Sequence, residues 1–206
     1  MALDSQHPIL ALARSKGVLR TRDVGAAGES RVALAQLVRE GQLAQLARGL
    51  YALPDRPLSE HGALAEVATK STQGVICLIS ALRVLELTTQ QSAEIWLAIP
   101  HKAHPPKLSY PPLRVVHMSG EAMAQGIETV DVAGVRVRVF GVAKTVADCF
   151  KYRNKIGLDI TIEALKESLR RNPHTGERPC TREELRHYAR ICRIDRVLQP
   201  YLEVLS

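Results

Sequence analysis

Near the start of the chain, the spacing of apolar residues changes from a helical period to a period close to two. Apolar residues at helical spacing predict a helix over 30–40, and they are Leu34, Leu37 and Val38. Ser30 is suited to cap the start of this helix, and Gly41 to end it in a left-handed conformation. Polar and apolar residues alternate over 42–47, and 50–53 reads as a second short strand, which predicts a small hairpin that turns at Arg48-Gly49.

The residues before this helix complete the order of a known module. The pattern predicts a helix over 8–15, a short extended piece over 18–20, and a second small helix that Thr21 can cap. Helix, strand, short helix, longer helix and hairpin follow one another as in a winged helix-turn-helix. Prolines at both ends of 54–57 stop strand and helix alike, so we predict a domain boundary there and a winged helix-turn-helix DNA-binding domain over 1–56.

The remaining residues, 57–206, are predicted to form an α+β domain in which helices pack on a small sheet. Helices are predicted over 59–70, 80–87, 142–152, 159–171 and 181–205, the last as one longer helix or a pair. Strands are predicted over 94–99, 113–118 and in a hairpin over 129–140 that turns at Ala133-Gly134. The run 74–79 fits a buried strand or the start of a buried helix. The predicted fold class is therefore α+β: an N-terminal winged helix-turn-helix followed by a small mixed sheet-and-helix domain.

The charge of the chain favours an anionic partner. The 206 residues carry a formal net charge of +7 at pH 7. The positive excess lies in residues 1–56 and 142–206, whereas residues 57–141 are neutral. This distribution suits contact with nucleic acid, although basic surfaces also occur on proteins that bind none.

The cysteines and the apolar runs predict a cytoplasmic protein without a membrane partner. Cys77, Cys149, Cys180 and Cys192 show no paired spacing, which favours reduced thiols. The first ten residues have neither the basic start nor the long apolar core of a signal peptide. No apolar run approaches the length of a membrane span.

Polar residues of the predicted winged helix are the candidates for contact with DNA. Residues on the exposed side of the 30–40 helix could contact bases or phosphates: Ser30, Arg31, Gln36 and Arg39. Such a helix enters the major groove by its amino-terminal end, which favours Ser30 and Arg31 for base contact. Residues at the start of the second helix and at the hairpin tip are the candidates for phosphate contact: Thr21, Arg22 and Arg48. The alternative is an ordinary solvated helix face.

Features that would indicate catalysis or metal binding are weak in this sequence. Lys144 and Asp148 lie one helical turn apart and could form a polar site, but an ion pair within a helix is the more common role of such a pair. A nuclease core with a carboxylate two positions before a lysine is absent from the sequence. The stretch 174–179 is similar to a linker between zinc fingers, yet no cysteine pair precedes it. We therefore expect no enzymatic activity, no cofactor and no bound metal.

The motifs of the chain, taken in order, resemble a known family. The end of the winged helix, GQLAQLARGLYAL, is similar to the wing of AbiEi antitoxins from type IV, abortive-infection toxin–antitoxin systems. The resemblance continues through the second domain in three further motifs: Ser80-Ala81-Leu82, the apolar run from Trp96 to Pro100, and the KTVAD sequence from Lys144 to Asp148. It covers nearly the whole chain, and the order of the motifs is stronger evidence than any one of them.

The resemblance implies an antitoxin with two activities that serves in phage defence. The winged helix would bind inverted repeats of double-stranded promoter DNA and repress its own operon. The second domain would counteract a cognate nucleotidyltransferase-like toxin, without a stable direct complex being required. The alternative function is a winged-helix transcriptional regulator with a sensing or interaction domain and no toxin partner.

A basic stripe near the end of the chain is the candidate surface for a partner. Four arginines follow one another at helical spacing, and they are Arg182, Arg186, Arg190 and Arg193. The stripe could contact the toxin or the DNA that flanks the operator, or it could be a solvated helix face.

Overall fold

A computed structural model of the chain describes residues 7–54, 60–108, 111–132 and 135–205. The described residues form two compact units, which divide after Lys70. Residues 131, 132 and 135 also group with the first unit. No helix among the described residues has both the length and the apolar character needed to cross a membrane.

The first unit contains four helices and three strands in its described part. In chain order they are α1 (Pro8–Lys16), β1 (Leu19–Arg20), α2 (Thr21–Ala26), α3 (Arg31–Arg39), β2 (Ala44–Ala47), β3 (Leu50–Ala52) and α4 (Glu60–Lys70). The three strands form an antiparallel sheet in the order β1-β3-β2. This order of elements confirms the predicted winged helix-turn-helix.

The core of the winged helix draws residues from every helix before the hairpin. Its buried side chains are Ile9, Leu10, Ala13, Leu19, Val24, Leu34, Leu37 and Leu43. Glycine at position 41 has φ +70° and closes α3, as predicted, while the amide of Gln42 donates to the carbonyl of Leu37. Thr21 is the first residue of α2 rather than its cap, since the side chain of Asp23 accepts the amide of Arg20 at 2.9 Å.

Helix α4 lies with the first unit, where it packs against β2. The sequence assigned this helix to the second domain. Most of the predicted break at 54–57 falls outside the described residues, as does the turn at Ala133-Gly134. The boundary after residue 56 therefore stays a prediction.

The second unit contains a five-stranded sheet and a set of helices. In chain order its described elements are β4 (Val75–Ile76), α5 (Leu78–Val84), β5 (Ile95–Pro100), β6 (Leu113–Met118), α6 (Glu121–Ala124), β7 (Ile127–Val132), β8 (Val135–Phe140), α7 (Val142–Lys151), α8 (Arg153–Ile156), α9 (Leu158–Leu169), α10 (Arg182–Cys192) and α11 (Asp195–Val204). Short α6 and α8 were not predicted from the sequence. The run over 74–79 becomes a two-residue strand followed by a helix.

The sheet is mixed, with strand order β6-β5-β4-β8-β7. Strands β5 and β6 are parallel and pair along their whole length, from Ile95 with Leu113 to Pro100 with Met118. Strand β4 is antiparallel to β5 and parallel to β8. A mixed sheet with helices packed on it confirms the predicted fold class.

The core of the second unit lies between this sheet and the helices. Helix α7 is buried over almost its whole length and packs against α5, α9, α10 and α11. Its phenylalanine, Phe150, packs on Tyr201 with ring centroids 5.1 Å apart. Few aromatic residues contribute, so the rest of the core consists of aliphatic side chains and cysteines.

Candidate nucleic-acid interface

Helix α3 presents one polar face to solvent. Ser30 caps its start, and the hydroxyl oxygen of this residue accepts the amide of Ala33 at 3.0 Å. Leu34 and Leu37 bury the opposite side in the core. The exposed residues of the helix are Arg31, Val32, Ala35, Gln36 and Arg39.

The first turn of α3 carries the most accessible groups of this face. Arg31 is exposed, and Val32 has 72% of its surface accessible. Val32 is not among the residues that the sequence predicts to contact DNA. Its position two residues before Leu34 places it about 200° around the helix from that core residue, which is the signal that could have identified it. An exposed aliphatic group at this place can pack on the methyl group of a thymine in the major groove.

The last turn of α3 is less suited to DNA. The side-chain amide of Gln36 donates to Glu40 at 2.9 Å, and Gln42 donates to the same carboxylate at 3.4 Å. Arg39 is exposed in the same turn. Because the carboxylate of Glu40 repels phosphate, the amino-terminal half of the helix is the favourable half for contact with DNA.

A backbone hydrogen bond connects the wing to the start of α2. Arg48 is exposed in the turn between β2 and β3, where Gly49 adopts φ +79°. The amide of Thr21 donates to the carbonyl of Gly49 at 3.1 Å, and a Cβ at Gly49 would lie 3.3 Å from the Thr21 hydroxyl. Arg22 follows Thr21 and is exposed. The fold thus brings Thr21, Arg22 and Arg48 to one corner of the unit, as an interface with phosphates requires.

Arg20 lies beside this corner but has a different role. It is half-buried, and its guanidinium is 3.9 Å from the carboxylate of Asp131. Asp23, which accepts the backbone amide of Arg20, also accepts the ammonium of Lys16 at 2.8 Å. These contacts hold the start of α2 in place.

The pair of Lys144 and Asp148 in the second unit is buried. Their side chains are 0% and 1% exposed, and the ammonium donates to the carboxylate. The other carboxylate oxygen of Asp148 accepts the thiol of Cys192 at 3.2 Å, and Lys144 lies 4.1 Å from the ring centroid of Phe140. Burial raises the pKa of Asp148, and the nearby ammonium of Lys144 lowers it in part. The geometry is that of an ion pair within the core that joins α7 to α10.

The four arginines near the end of the chain do not form one uniform stripe. Arg186 and Arg190 are exposed on α10, and Arg193 is an exposed left-handed residue that ends this helix. Arg182 is half-buried and donates to the carbonyl oxygens of Leu202 and Leu205. Those carbonyls belong to the last turn of α11, so Arg182 satisfies acceptors that the helix leaves unpaired.

The stretch 174–179 is an exposed loop between α9 and α10. Asn172 organises it, because its side chain accepts the amide of His174 at 2.8 Å. Within the described parts of the chain, no three His, Cys, Asp or Glu side chains lie together in a way that could hold a metal ion. The four cysteines are free thiols and all are buried.

The fold of this chain is similar to that of a solved structure. The crystal structure of the RV2827C protein from Mycobacterium tuberculosis superposes with a TM-score of 0.50 at 16% sequence identity. The match covers 90% of this chain and 72% of the other. At this identity the likeness concerns the fold alone. No functionally curated protein matches the chain in sequence.

The winged helix is the part of the chain that a family model matches. Residues 7–54 match the family described as "Transcriptional regulator, AbiEi antitoxin". This range begins just before α1 and ends just after β3, so it contains the exposed face of α3 and the wing. Over these residues the chain is similar to AbiEi antitoxins and transcriptional regulators.

Proposed function

We propose that this chain represses its own operon by binding inverted repeats in the promoter. Two copies occupy the two halves of the repeat, and each inserts the first turn of α3 into the major groove. Arg31 and Val32 contact base edges, while Arg22 and Arg48 hold phosphates. The observation that carries this proposal is the exposed polar face of α3 beside an arginine-tipped wing, within the segment that matches the family model.

The second activity in the proposal is that of an antitoxin. The second unit counteracts a nucleotidyltransferase-like toxin, and a stable direct complex is not required. The support for this part is the similarity of the winged helix to AbiEi antitoxins, together with the exposed basic groups of Arg186, Arg190 and Arg193.

A second candidate function is a winged-helix regulator whose second unit senses a ligand. One observation favours it: an open cleft of about 960 Å³ lies in the second unit. Growth assays with the adjacent gene separate the two candidates. If the neighbouring gene is toxic alone and harmless when co-expressed with this chain, the antitoxin function is supported. If the gene is harmless alone, the sensing function is favoured.

The DNA-binding proposal is tested by binding to the chain's own upstream promoter and to a scrambled duplex, at two salt concentrations. The wild type is compared with the double variant Arg31→Ala/Arg48→Ala. The matched control is Arg171→Ala/Arg178→Ala, which removes the same charge from the exposed loop before α10. We expect the first variant to lose promoter binding and the control to keep it. Equal, weak binding of all three proteins to both duplexes would overturn the proposal.

A variant of Val32 separates base contact from phosphate contact. Val32→Ala removes two methyl groups that would be buried against a base, so promoter binding should fall about tenfold while binding to the scrambled duplex stays the same. Because Val32 is exposed, the thermal unfolding temperature of the Val32→Ala variant should equal that of the wild type. An equal loss on both duplexes would exclude Val32 as a base contact.

A further inference from the structure

The second unit has a cleft at one end of its sheet, which we call the strand-end cleft. It measures about 960 Å³ and is open to solvent. Its lining residues are Gln73, Pro100, His101, Lys102, Met118, Ser119, Gly120, Met123, Ala124, Ile127 and Arg138. This volume falls within the range of pockets that hold small molecules.

Sheet topology explains why these residues meet. The parallel strands β5 and β6 end side by side at Pro100 and Met118, and the residues that follow each strand line the cleft. The carboxyl ends of parallel strands are where open sheets bind ligands. Strand β4 runs the other way, so Gln73, which precedes it, reaches the same end of the sheet.

The register of the strands places the lining side chains on one face. Paired positions share a face of a sheet, and Met118 pairs with Pro100. Val75 pairs with Ala98, so Gln73 lies in the row of Pro100. Ile76 pairs with Val139, which sets Arg138 beside Val75 on that face. The guanidinium of Arg138 donates to the carbonyl of Thr72 at 3.2 Å and is thereby held at the margin of the cleft.

The lining of the cleft combines positive charge with apolar side chains. Lys102 and Arg138 supply two positive charges, and no lining residue is acidic. The cleft also has an apolar patch in its lining, formed by Met118, Met123 and Ile127. Gln73 and Ser119 add a side-chain amide and a hydroxyl, which can donate and accept hydrogen bonds.

We propose that the strand-end cleft binds a nucleotide. The phosphates lie against Lys102 and Arg138, and the base packs on the thioethers of Met118 and Met123. The amide of Gln73 and the hydroxyl of Ser119 are the partners for the base edge or the ribose. An acyl chain fits this cleft less well, since an open site leaves part of its ligand in water, which a polar ribose tolerates and an alkyl chain does not.

The test uses the full chain with the Arg31→Ala/Arg48→Ala substitutions, so that the winged helix does not account for nucleotide binding. The probes are ATP, GTP, CTP and UTP, with inorganic tripolyphosphate and decanoate as comparison ligands. Calorimetry measures affinity. Methyl-labelled methionine reports the location, because the chain has 3 methionines and two of them, Met118 and Met123, line the cleft.

We expect at least one nucleotide to bind with a dissociation constant below about 1 mM and to shift the methyl signals of Met118 and Met123. Lys102→Ala should weaken that binding about tenfold, while Lys107→Ala, a matched change outside the lining, should not. Arg138→Ala, compared with Arg136→Ala, repeats the test at the second positive charge of the cleft.

Three results would overturn the proposal. One is the absence of binding by all four nucleotides at millimolar concentration. Another is tripolyphosphate binding as tightly as the nucleotides, because the apolar patch would then contribute nothing. The last is decanoate displacing the nucleotide or shifting the same methyl signals more strongly. A failure of promoter binding leaves this inference unaffected, since the cleft residues lie outside the winged helix.

Discussion

Lys144 and Asp148 lie one turn apart on α7 and are almost completely buried, whereas Arg31 and Arg39 lie two turns apart on α3 and are exposed. The same kind of charged side chain therefore has opposite roles in the two units. On α3 the charge faces solvent and is available to an anion. On α7 the ammonium of Lys144 is paired with the carboxylate of Asp148 within the core. The thiol of Cys192 contacts that carboxylate, and the ring of Phe140 lies beside the ammonium.

We predict that breaking this buried pair destabilises the second unit strongly. Asp148→Leu leaves the ammonium of Lys144 buried without its partner, which should lower the free energy of unfolding by about 3–5 kcal/mol. The double variant Lys144→Met/Asp148→Leu removes both charges and should recover most of that loss. Urea unfolding followed by circular dichroism measures both variants. A single variant within about 1 kcal/mol of the wild type would contradict this role.

The raised pKa of Asp148 predicts how stability depends on pH. Burial favours the protonated acid in the folded protein, so the folded pKa exceeds the ordinary value of 3.8. The contribution of Asp148 to the free energy of unfolding is fully present below pH 3.8, and it is lost as pH rises through the folded pKa. We expect the free energy of unfolding of Asp148→Asn, measured against pH in that window, to lack this decline. Parallel pH curves for wild type and variant would contradict the prediction.

At the scale of elements, we predict that the Ser30 cap supports DNA binding by stabilising helix α3. Ser30→Ala removes the acceptor for the amide of Ala33 and should cost about 1 kcal/mol. Ser30→Asn keeps a capping oxygen and should restore thermal stability. If Ser30 acts only as the cap, promoter binding by the asparagine variant should match the wild type. A variant that is as stable as the wild type but binds the promoter weakly would show that the Ser30 hydroxyl itself contacts DNA.

The sequence predicted elements whose signals are local. Ser30 and Gly41 mark the ends of α3 because a cap and a left-handed glycine act on their own neighbours. The alternation of VRVRVF likewise predicts β8, where Val137 and Val139 are buried. The candidate DNA-binding residues on α3 follow from the same periodicity, although the exposed Val32 was overlooked.

Long-range contacts explain what the sequence did not predict. Strand β4 has two residues and exists because β5 and β8 pair with it on either side. The break between α10 and α11 falls at Arg193, which adopts a left-handed conformation without being glycine. Arg182 was predicted to belong to a basic stripe. Its actual contact is with Leu202 at the end of α11, 20 positions later, and so distant a contact leaves no signal in the local sequence. The strand-end cleft is assembled from separate segments, so no single stretch of sequence indicates it.

At the scale of the whole molecule, the buried thiols belong to one of the two units. All four cysteines lie in the second unit, and every one is buried in its core. Burial raises the pKa of Cys192 to about 12 and that of Cys180 to about 11, and it raises the pKa values of Cys77 and Cys149 as well. The thiols are therefore protonated near neutral pH in the folded chain.

The cysteines should accordingly report the opening of the second unit alone. Because the thiolate is the reactive form and access requires unfolding, we predict slow modification by a disulfide reagent at pH 8 in the native chain and rapid modification of all four thiols in guanidinium. Arg31→Ala/Arg48→Ala should not alter the native rate, since it changes only the winged helix. Asp148→Leu should raise it, because it removes the acceptor of the Cys192 thiol and weakens the core around α7. Rapid reaction of any thiol in the native wild type, with circular dichroism unchanged, would show that its burial is not maintained in solution.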